Sequence, residues 1–343
     1  MIDLFDSQLN SQGGTFVPQA ERIPESLTTV SSKLQPSKAE LDWLLEQAIE
    51  HYQIREYDTA LSRFAHVLRG YRNVADLHGE GMTLSGMGLA FYALGRYADA
   101  IAHSHQALAI AQQIMDRRIE RQALSNLGNA YRHLNDYSKA IEYKQQTLKV
   151  AQDIQDRRGE MAALSNLGMA YKAMGSYEAA IAHYQESLTL ARLLRDSHVE
   201  AQVLRNLGNA YHAQANFAKT VECYEQLLKI AQRLDDLPME GQILKNLASA
   251  CYAQGDCDRA ITFHQRRLVI ARTLKDSRNQ EQALESLGVI YEAQGDYTQA
   301  IHCYEQRLAI AQLAQDAYLE QQVLMSLRNV CYAVGDYARA SRY

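Results

Sequence analysis

Four asparagines stand 40 residues apart in the middle of the chain, at Asn126, Asn166, Asn206 and Asn246. A side-chain amide both donates and accepts hydrogen bonds, so a row of amides can pair with the backbone of an extended peptide whatever its sequence. The same amides could instead bridge neighbouring structural repeats, and the two interpretations are compatible. The spacing therefore predicts a peptide-binding row, with structural bridging as the alternative.

Cationic and polar side chains accompany this row: Asn129, Arg132, His133, Lys172, Arg205, Asn209, His212 and Lys245. Comparable positions farther along hold Glu285, Glu292, Met325 and Tyr332. The middle of the chain is therefore locally basic, although the formal net charge is −5. Because complementary charge favours association, we expect a partner with acidic side chains or a free carboxylate. The alternative is a solvated face of mixed charge that binds nothing.

No other constellation of residues predicts chemistry. Residues 79–81 and 86–88 hold glycines two apart, as phosphate-binding loops do, but no predicted strand precedes them. His103 and His105 diverge on a helix, which is poor geometry for a metal. The sequence has no Cys-x-x-Cys or His-Glu-x-x-His zinc motif. We therefore expect a protein that is not an enzyme and uses no metal or cofactor.

Composition excludes further classes of function. The acidic balance, with an isoelectric point near 6.1, argues against general binding to nucleic acid or to an anionic membrane surface. No run approaches the ~18 apolar residues of a transmembrane helix, and residues 1–6 lack the basic and apolar regions of a secretory signal. Five widely spaced cysteines are an odd number, which favours a reducing compartment. The expected location is cytoplasmic.

Internal repetition dominates the sequence from about residue 41 to residue 340. Leucines recur every 40 residues at Leu84, Leu124, Leu164, Leu204, Leu244, Leu284 and Leu324, without insertion or deletion. Aspartates recur with the same period from Asp76 to Asp316. A fixed period of this length indicates an array of structural repeats.

One repeat is predicted to contain two helices, over residues 120–134 and 138–154 in the best example. Leu124, Leu127, Gly128 and Tyr131 stand at i, i+3, i+4 and i+7, which is one apolar stripe of a helix. Asn135 can take the left-handed conformation after this helix, and Asp136 can cap the next one. At the corresponding turn Ala215 replaces Gly or Asn, which predicts a shifted or strained turn. Sequences starting at Ser197 and Ser277 resemble capping boxes of first helices.

A helix pair cannot bury its apolar stripe alone, so stacked pairs must share a continuous core. The sequence therefore predicts an all-α solenoid of antiparallel helix pairs over residues 37–343, with seven full repeats and a truncated eighth. Residues 1–36 are polar and hold three of the four prolines, which favours a flexible leader. The stripe Leu324, Leu327, Val330 and Cys331 of the last long helix is expected to lack a covering partner, which predicts either a truncated chain or self-association at this end.

The pattern Leu124-x-x-Leu127-Gly128-x-x-Tyr131, followed by Tyr137-x-x-Ala140, resembles the tetratricopeptide repeat. The period of 40 exceeds the usual ~34 residues, and is similar to a long-repeat branch that includes Pins/LGN-type polarity adaptors, kinesin light chains and bacterial arrays. The resemblance implies a right-handed superhelix whose first helices line a concave groove. It also implies that the asparagine row binds an extended peptide there.

Arg205, Asn209 and Asn246 partly match the carboxylate clamp of chaperone-binding relatives. Gln282 and Ser286 stand where that clamp needs cations, so an internal acidic segment is preferred to a C-terminal carboxylate. The expected function is a non-catalytic scaffold or adaptor that binds such a segment of a partner protein. Two alternatives are a peptide-responsive regulatory sensor and the repeat arm of a larger, truncated enzyme or signalling protein.

Overall fold

The computed structural model describes residues 36–343, and the leader predicted for residues 1–36 lies, except for Pro36, outside the described part. The described residues form helices and turns and no strand. The helices are α1 (Lys38–Gln53), α2 (Tyr57–Asn73), α3 (Leu77–Ala93), α4 (Tyr97–Gln113), α5 (Arg117–His133), α6 (Tyr137–Asp153), α7 (Arg157–Ala173), α8 (Tyr177–Leu193), α9 (Ser197–Ala213), α10 (Phe217–Arg233), α11 (Leu237–Ala253), α12 (Cys257–Thr273), α13 (Ser277–Ala293), α14 (Tyr297–Ala314), α15 (Ala317–Val334) and α16 (Tyr337–Ala340).

The predicted array of helix pairs is confirmed. Odd-numbered helices are the first helices of the repeats and even-numbered helices are the second. Residues with positive φ follow the helices at intervals of 20, among them Asn135 (φ 61°), Gly175 (φ 86°) and Ala215 (φ 57°). The turn at Ala215 is not shifted, because it has the same left-handed φ and donates its N–H to the His212 carbonyl at 2.9 Å. A left-handed alanine costs roughly 1–2 kcal/mol, which the flanking helices must offset.

The periodic aspartates are the N-caps of the first helices. Asp196 Oδ1 accepts the Val199 N–H at 3.1 Å, and Asp276 Oδ1 accepts the Asn279 N–H at 2.9 Å. The predicted caps at Ser197 and Ser277 are therefore wrong by one residue, because each serine already lies inside its helix. The cap predicted for second helices is confirmed at Asp136, which accepts the Lys139 N–H.

The chain divides into two compact units, of which unit 1 extends to Leu190 and unit 2 is Ala191–Tyr343. The core of unit 1 includes fully buried side chains from a second helix, α2, and the following first helix, α3, such as Phe64, Tyr71 and Leu84. The first helices α3 and α5 also contact each other directly.

In unit 2 the stripe of α15 is covered, contrary to the sequence prediction. Leu327 and Cys331 are fully buried and Val330 is 2% exposed, while Leu324 is partly buried. Leu327, Val330 and Cys331 pack into one cluster with Ile301, Tyr304 and Ala340 from α14 and α16. The stripe points back toward the preceding helix, so the expected basis for self-association is wrong.

In most of the repeats a second-helix side chain packs tightly against a glycine of the first helix. A Cβ built at Gly208 would lie 2.8 Å from Cε2 of Tyr224, and one at Gly288 would overlap Cε1 of Tyr304. Gly168 and Tyr184 repeat this contact in unit 1. Glycine is needed here because the tyrosine ring occupies the space of a methyl group. Among the described helices, none is long and apolar enough to cross a bilayer.

We predict that Asp276→Ala lowers the free energy of unfolding by about 1 kcal/mol, the usual value of an N-cap side chain. The matched change Ser277→Ala, one residue farther along, should leave it nearly unchanged. Urea denaturation followed by circular dichroism measures both, and equal effects of the two changes would contradict the assignment of the cap.

The Asp276 contribution should also depend on pH. Hydrogen bonds from the backbone and side chain of Asn279 lower the pKa of Asp276 in the folded chain. A lowered folded-state pKa stabilises the fold above the unfolded-state value of about 3.9 and ceases to do so as the pH falls through the folded value. The difference between wild type and Asp276→Ala should therefore be present at about pH 7 and shrink toward about pH 3.

Candidate functional site

The asparagine row is not uniform, because its first member is buried. Asn126 is 1% exposed, and its Nδ2 donates to the Ser85 carbonyl oxygen of α3 at 3.1 Å while its Oδ1 accepts from Gln122 at 3.2 Å. Asn129 is 5% exposed. Asn126 thus bridges two repeats, as the alternative interpretation predicts. Because Asn126 and Asn129 are both buried, neither belongs to the candidate surface.

A small residue on the neighbouring first helix allows this burial. Gly88 of α3 lies opposite Asn126, and a Cβ there would lie 3.4 Å from the Asn126 amide nitrogen. Every residue of α5 from Arg121 to Ala130 is buried. Asn166 on α7 is partly buried. The part of the asparagine row that lies in unit 1 therefore exposes little amide surface to a ligand.

The cations of unit 1 lie nearer the C-terminal ends of their helices. Arg132 and Lys172 are both partly buried, whereas His133 is exposed. Arg132 donates from Nη2 to His133 Nε2 at 2.9 Å, and the Tyr97 ring stacks on His133 with centroids 5.0 Å apart. Desolvation and the Arg132 charge lower the pKa values of both His133 and Lys172.

In unit 2, Tyr224 connects two of the predicted residues. Its hydroxyl donates to Asn209 Oδ1 at 2.6 Å, and the Asn246 side chain hydrogen-bonds the same hydroxyl. Burial raises the pKa of Tyr224 to about 12, and Asn246 and the nearby Arg205 partly oppose this rise. We call Arg205, Asn209, Lys245 and Asn246, together with Tyr224, the unit-2 cluster.

The cations of the unit-2 cluster face solvent. Arg205 and Lys245 are exposed, as is Asn209, and neither cation makes an ion pair with a described residue. His212 is exposed and contacts the edge of Phe217. Asn206 is partly buried, and its amide nitrogen lacks a hydrogen-bond partner in the described part of the chain.

The acidic residues at the corresponding positions of the next repeat, Glu285 and Glu292, are bound by side chains of the second helix α14. Arg307, only 6% exposed, donates to Glu285 at 2.8 Å and also pairs with Glu281. Glu292 hydrogen-bonds the buried Tyr304 hydroxyl, which raises the pKa of that tyrosine together with burial. The surface of unit 2 therefore changes from unpaired cations to partly compensated carboxylates within one repeat.

Sequence reasoning missed Tyr184, Tyr224 and Tyr304, whose rings pass the glycines of the first helices. They share one position of the 40-residue period, which holds Lys144 and His264 in other repeats. Their position opposite the periodic glycine is the signal that could have identified them. Among residues 36–343, no group of three His, Cys, Asp or Glu side chains is arranged to hold a metal ion.

The family model of the tetratricopeptide repeat matches residues 79–153, 159–233, 199–273 and 239–313. No curated protein matches the chain. Among solved structures, the chain is similar to a signal transduction ATPase (STAND) protein with a tetratricopeptide repeat sensor from Pyrococcus horikoshii, at 18% identity and a TM-score of 0.64, covering 87% of this chain and 44% of that one. The chain thus spans less than half the length of that protein.

Two further structures are similar over much of their length. The apo form of the quorum sensor NprR from B. thuringiensis is 16% identical with a TM-score of 0.53, covering 88% of this chain and 85% of that one. A kinesin light chain repeat protein of Podosopora anserina is 19% identical with a TM-score of 0.50, covering 57% of this chain and 96% of that one. At these identities the likeness establishes the fold alone.

The contrast between two buried tyrosines gives a prediction for stability. Tyr224→Phe removes a hydroxyl that is hydrogen-bonded to Asn209, so it should cost about 1 kcal/mol of unfolding free energy. Tyr184→Phe removes a buried hydroxyl without a partner in the described residues, so it should cost nothing or stabilise slightly. Urea denaturation of the two variants measures the difference, and an equal loss in both would contradict the assigned hydrogen bonding.

Proposed function

The chain belongs to the tetratricopeptide repeat family, and on that premise we propose that it is a protein-interaction scaffold that binds an extended, acidic segment of a partner protein. The observation that carries the proposal is the unit-2 cluster, in which two exposed, unpaired cations flank two amides held by one buried hydroxyl. Repeat arrays suit this task because they present a preformed surface along successive helices.

The two kinds of side chain have different roles in this proposal. Asn209 and Asn246 pair with the backbone of the bound segment, since an amide can donate and accept at once. Arg205 and Lys245 attract its carboxylates. Because Tyr224 already holds both amides, little side-chain entropy is lost on binding, which is the benefit of a preorganised site.

The magnitude of each contact limits the affinity. An exposed ion pair contributes about 0.2–1 kcal/mol and is weakened by salt. Affinity must therefore come from several contacts along the segment, and it should fall as ionic strength rises. Glu285 repels acidic side chains at the next repeat, which favours a segment whose carboxylates lie beside Arg205 and Lys245.

A short fluorescent peptide of alternating Glu and Ser residues, blocked at both ends, tests this proposal by fluorescence anisotropy. The double variant Arg205→Gln/Lys245→Gln should bind it about two- to tenfold more weakly than wild type, from two exposed pairs. The control Lys229→Gln/Arg233→Gln removes the same charge from exposed positions of α10 and should bind like wild type. Equal weakening in both variants, or no binding by wild type, would refute the proposal.

The same peptide with a free C-terminal carboxylate distinguishes the two acidic ligands considered from the sequence. An internal segment predicts equal affinity for the blocked and free forms. A large gain for the free form would instead indicate a carboxylate reader.

A further inference from the structure

Unit 1 contains two cations without a counter-charge. Arg132 and Lys172 occupy the same position on successive first helices, 40 residues apart on α5 and α7. Both are partly buried, and neither makes an ion pair with a described residue. Burial and the Arg132 charge both lower the pKa of Lys172.

The guanidinium of Arg132 is held in place by neutral groups. It donates to His133 Nε2 at 2.9 Å and hydrogen-bonds the Tyr92 side chain. Tyr97 stacks on His133 and its hydroxyl lies 3.4 Å from His133 Nδ1. These contacts orient the cation without neutralising it.

A third group at this place is a buried hydroxyl. Tyr184 is fully buried against Gly168, near the Arg132 charge, and its hydroxyl has no hydrogen-bond partner in the described residues. The corresponding tyrosine of a later repeat, Tyr304, hydrogen-bonds Glu292. Glu292 stands at the first-helix position that Lys172 occupies in its own repeat. Lys172 therefore has the same sequence relation to Tyr184 that Glu292 has to Tyr304.

We propose that Arg132, Lys172 and Tyr184 form a binding site for the phosphate group of a ligand. A phosphate carries a charge of about −1.5 to −2 at neutral pH and presents three strong acceptor oxygens. It matches two cations and a hydroxyl donor, whereas a carboxylate would balance one cation only. Charge-assisted hydrogen bonds to Arg and Lys are the usual means of holding such a group. This site lies wholly in unit 1 and does not depend on the unit-2 cluster.

The phosphate can come from a phosphorylated side chain of a protein segment or from a small phosphate-bearing molecule. Isothermal titration calorimetry of the full chain distinguishes them with three probes: inorganic phosphate, a blocked Gly/Ser peptide with one central phosphoserine, and the same peptide unphosphorylated. Tighter binding of the phosphopeptide than of inorganic phosphate indicates a protein segment, and equal binding indicates a small molecule. Absence of heat with both phosphate probes, or equal binding of the unphosphorylated peptide, would overturn the proposal.

Three variants assign the site. Lys172→Gln and Arg132→Gln should each weaken phosphate binding about tenfold. Tyr184→Phe should weaken it severalfold without lowering the thermal unfolding midpoint, because its hydroxyl has no partner among residues 36–343. The matched control Tyr224→Phe should leave phosphate affinity unchanged. Phosphate affinity unaffected by Tyr184→Phe and Lys172→Gln would also overturn the proposal.

The two proposals can fail separately. Arg205→Gln/Lys245→Gln should retain wild-type phosphate affinity, and Lys172→Gln should retain wild-type affinity for the alternating Glu and Ser peptide. Loss of phosphate binding in the unit-2 double variant would show that the phosphate binds elsewhere and would refute the unit-1 site.

Discussion

The contact between a second-helix side chain and a glycine of the first helix determines how the two helices pack in most of the repeats. Tyr224 lies where a methyl group on Gly208 would be, and Lys144 lies in the same way against Gly128. Glycine lets the two helices pack with a large side chain between them, and that side chain is long enough to reach beyond the first helix. One packing requirement therefore also determines which polar atoms meet the neighbouring first helices.

The chemistry at the tip of this side chain differs from repeat to repeat. Lys144 donates to the Ser125 carbonyl oxygen at 2.8 Å, and Tyr224 donates to Asn209 at 2.6 Å. Tyr304 bonds a carboxylate, and Tyr184 has no partner in the described residues. An unpaired buried hydroxyl costs roughly 1–3 kcal/mol, and the phosphate proposed for this site would satisfy it.

The sequence predicted the helices well because the apolar stripe and the period are local properties. Residues 120–134 were expected for the helix that spans Arg117–His133, and the error of three residues arose because the aspartate cap was overlooked. Burial was harder to predict. Asn126 and Asn206 share a sequence position, but Asn126 is buried because α3 comes close to it at Gly88. Distances of this kind between helices cannot be predicted from the periodicity of the sequence.

The tyrosines were missed for a related reason. Lys144 and His264 hold the same position in other repeats, so the three tyrosines form no unbroken period and their hydroxyl groups were not considered. A buried ring with a polar tip can fill the core and organise the surface at once. The covering of α15 was likewise missed, because the direction in which a stripe faces depends on the crossing of neighbouring helices.

The most direct test of the account is the affinity of Gly208→Ala for the blocked acidic peptide. The added Cβ would lie 2.8 Å from the Tyr224 ring, so the ring must move and the hydroxyl should leave Asn209 and Asn246. The account predicts that this variant stays helical yet loses affinity, although no charge is removed. Wild-type affinity in a folded Gly208→Ala variant would contradict the claim that this packing organises the surface.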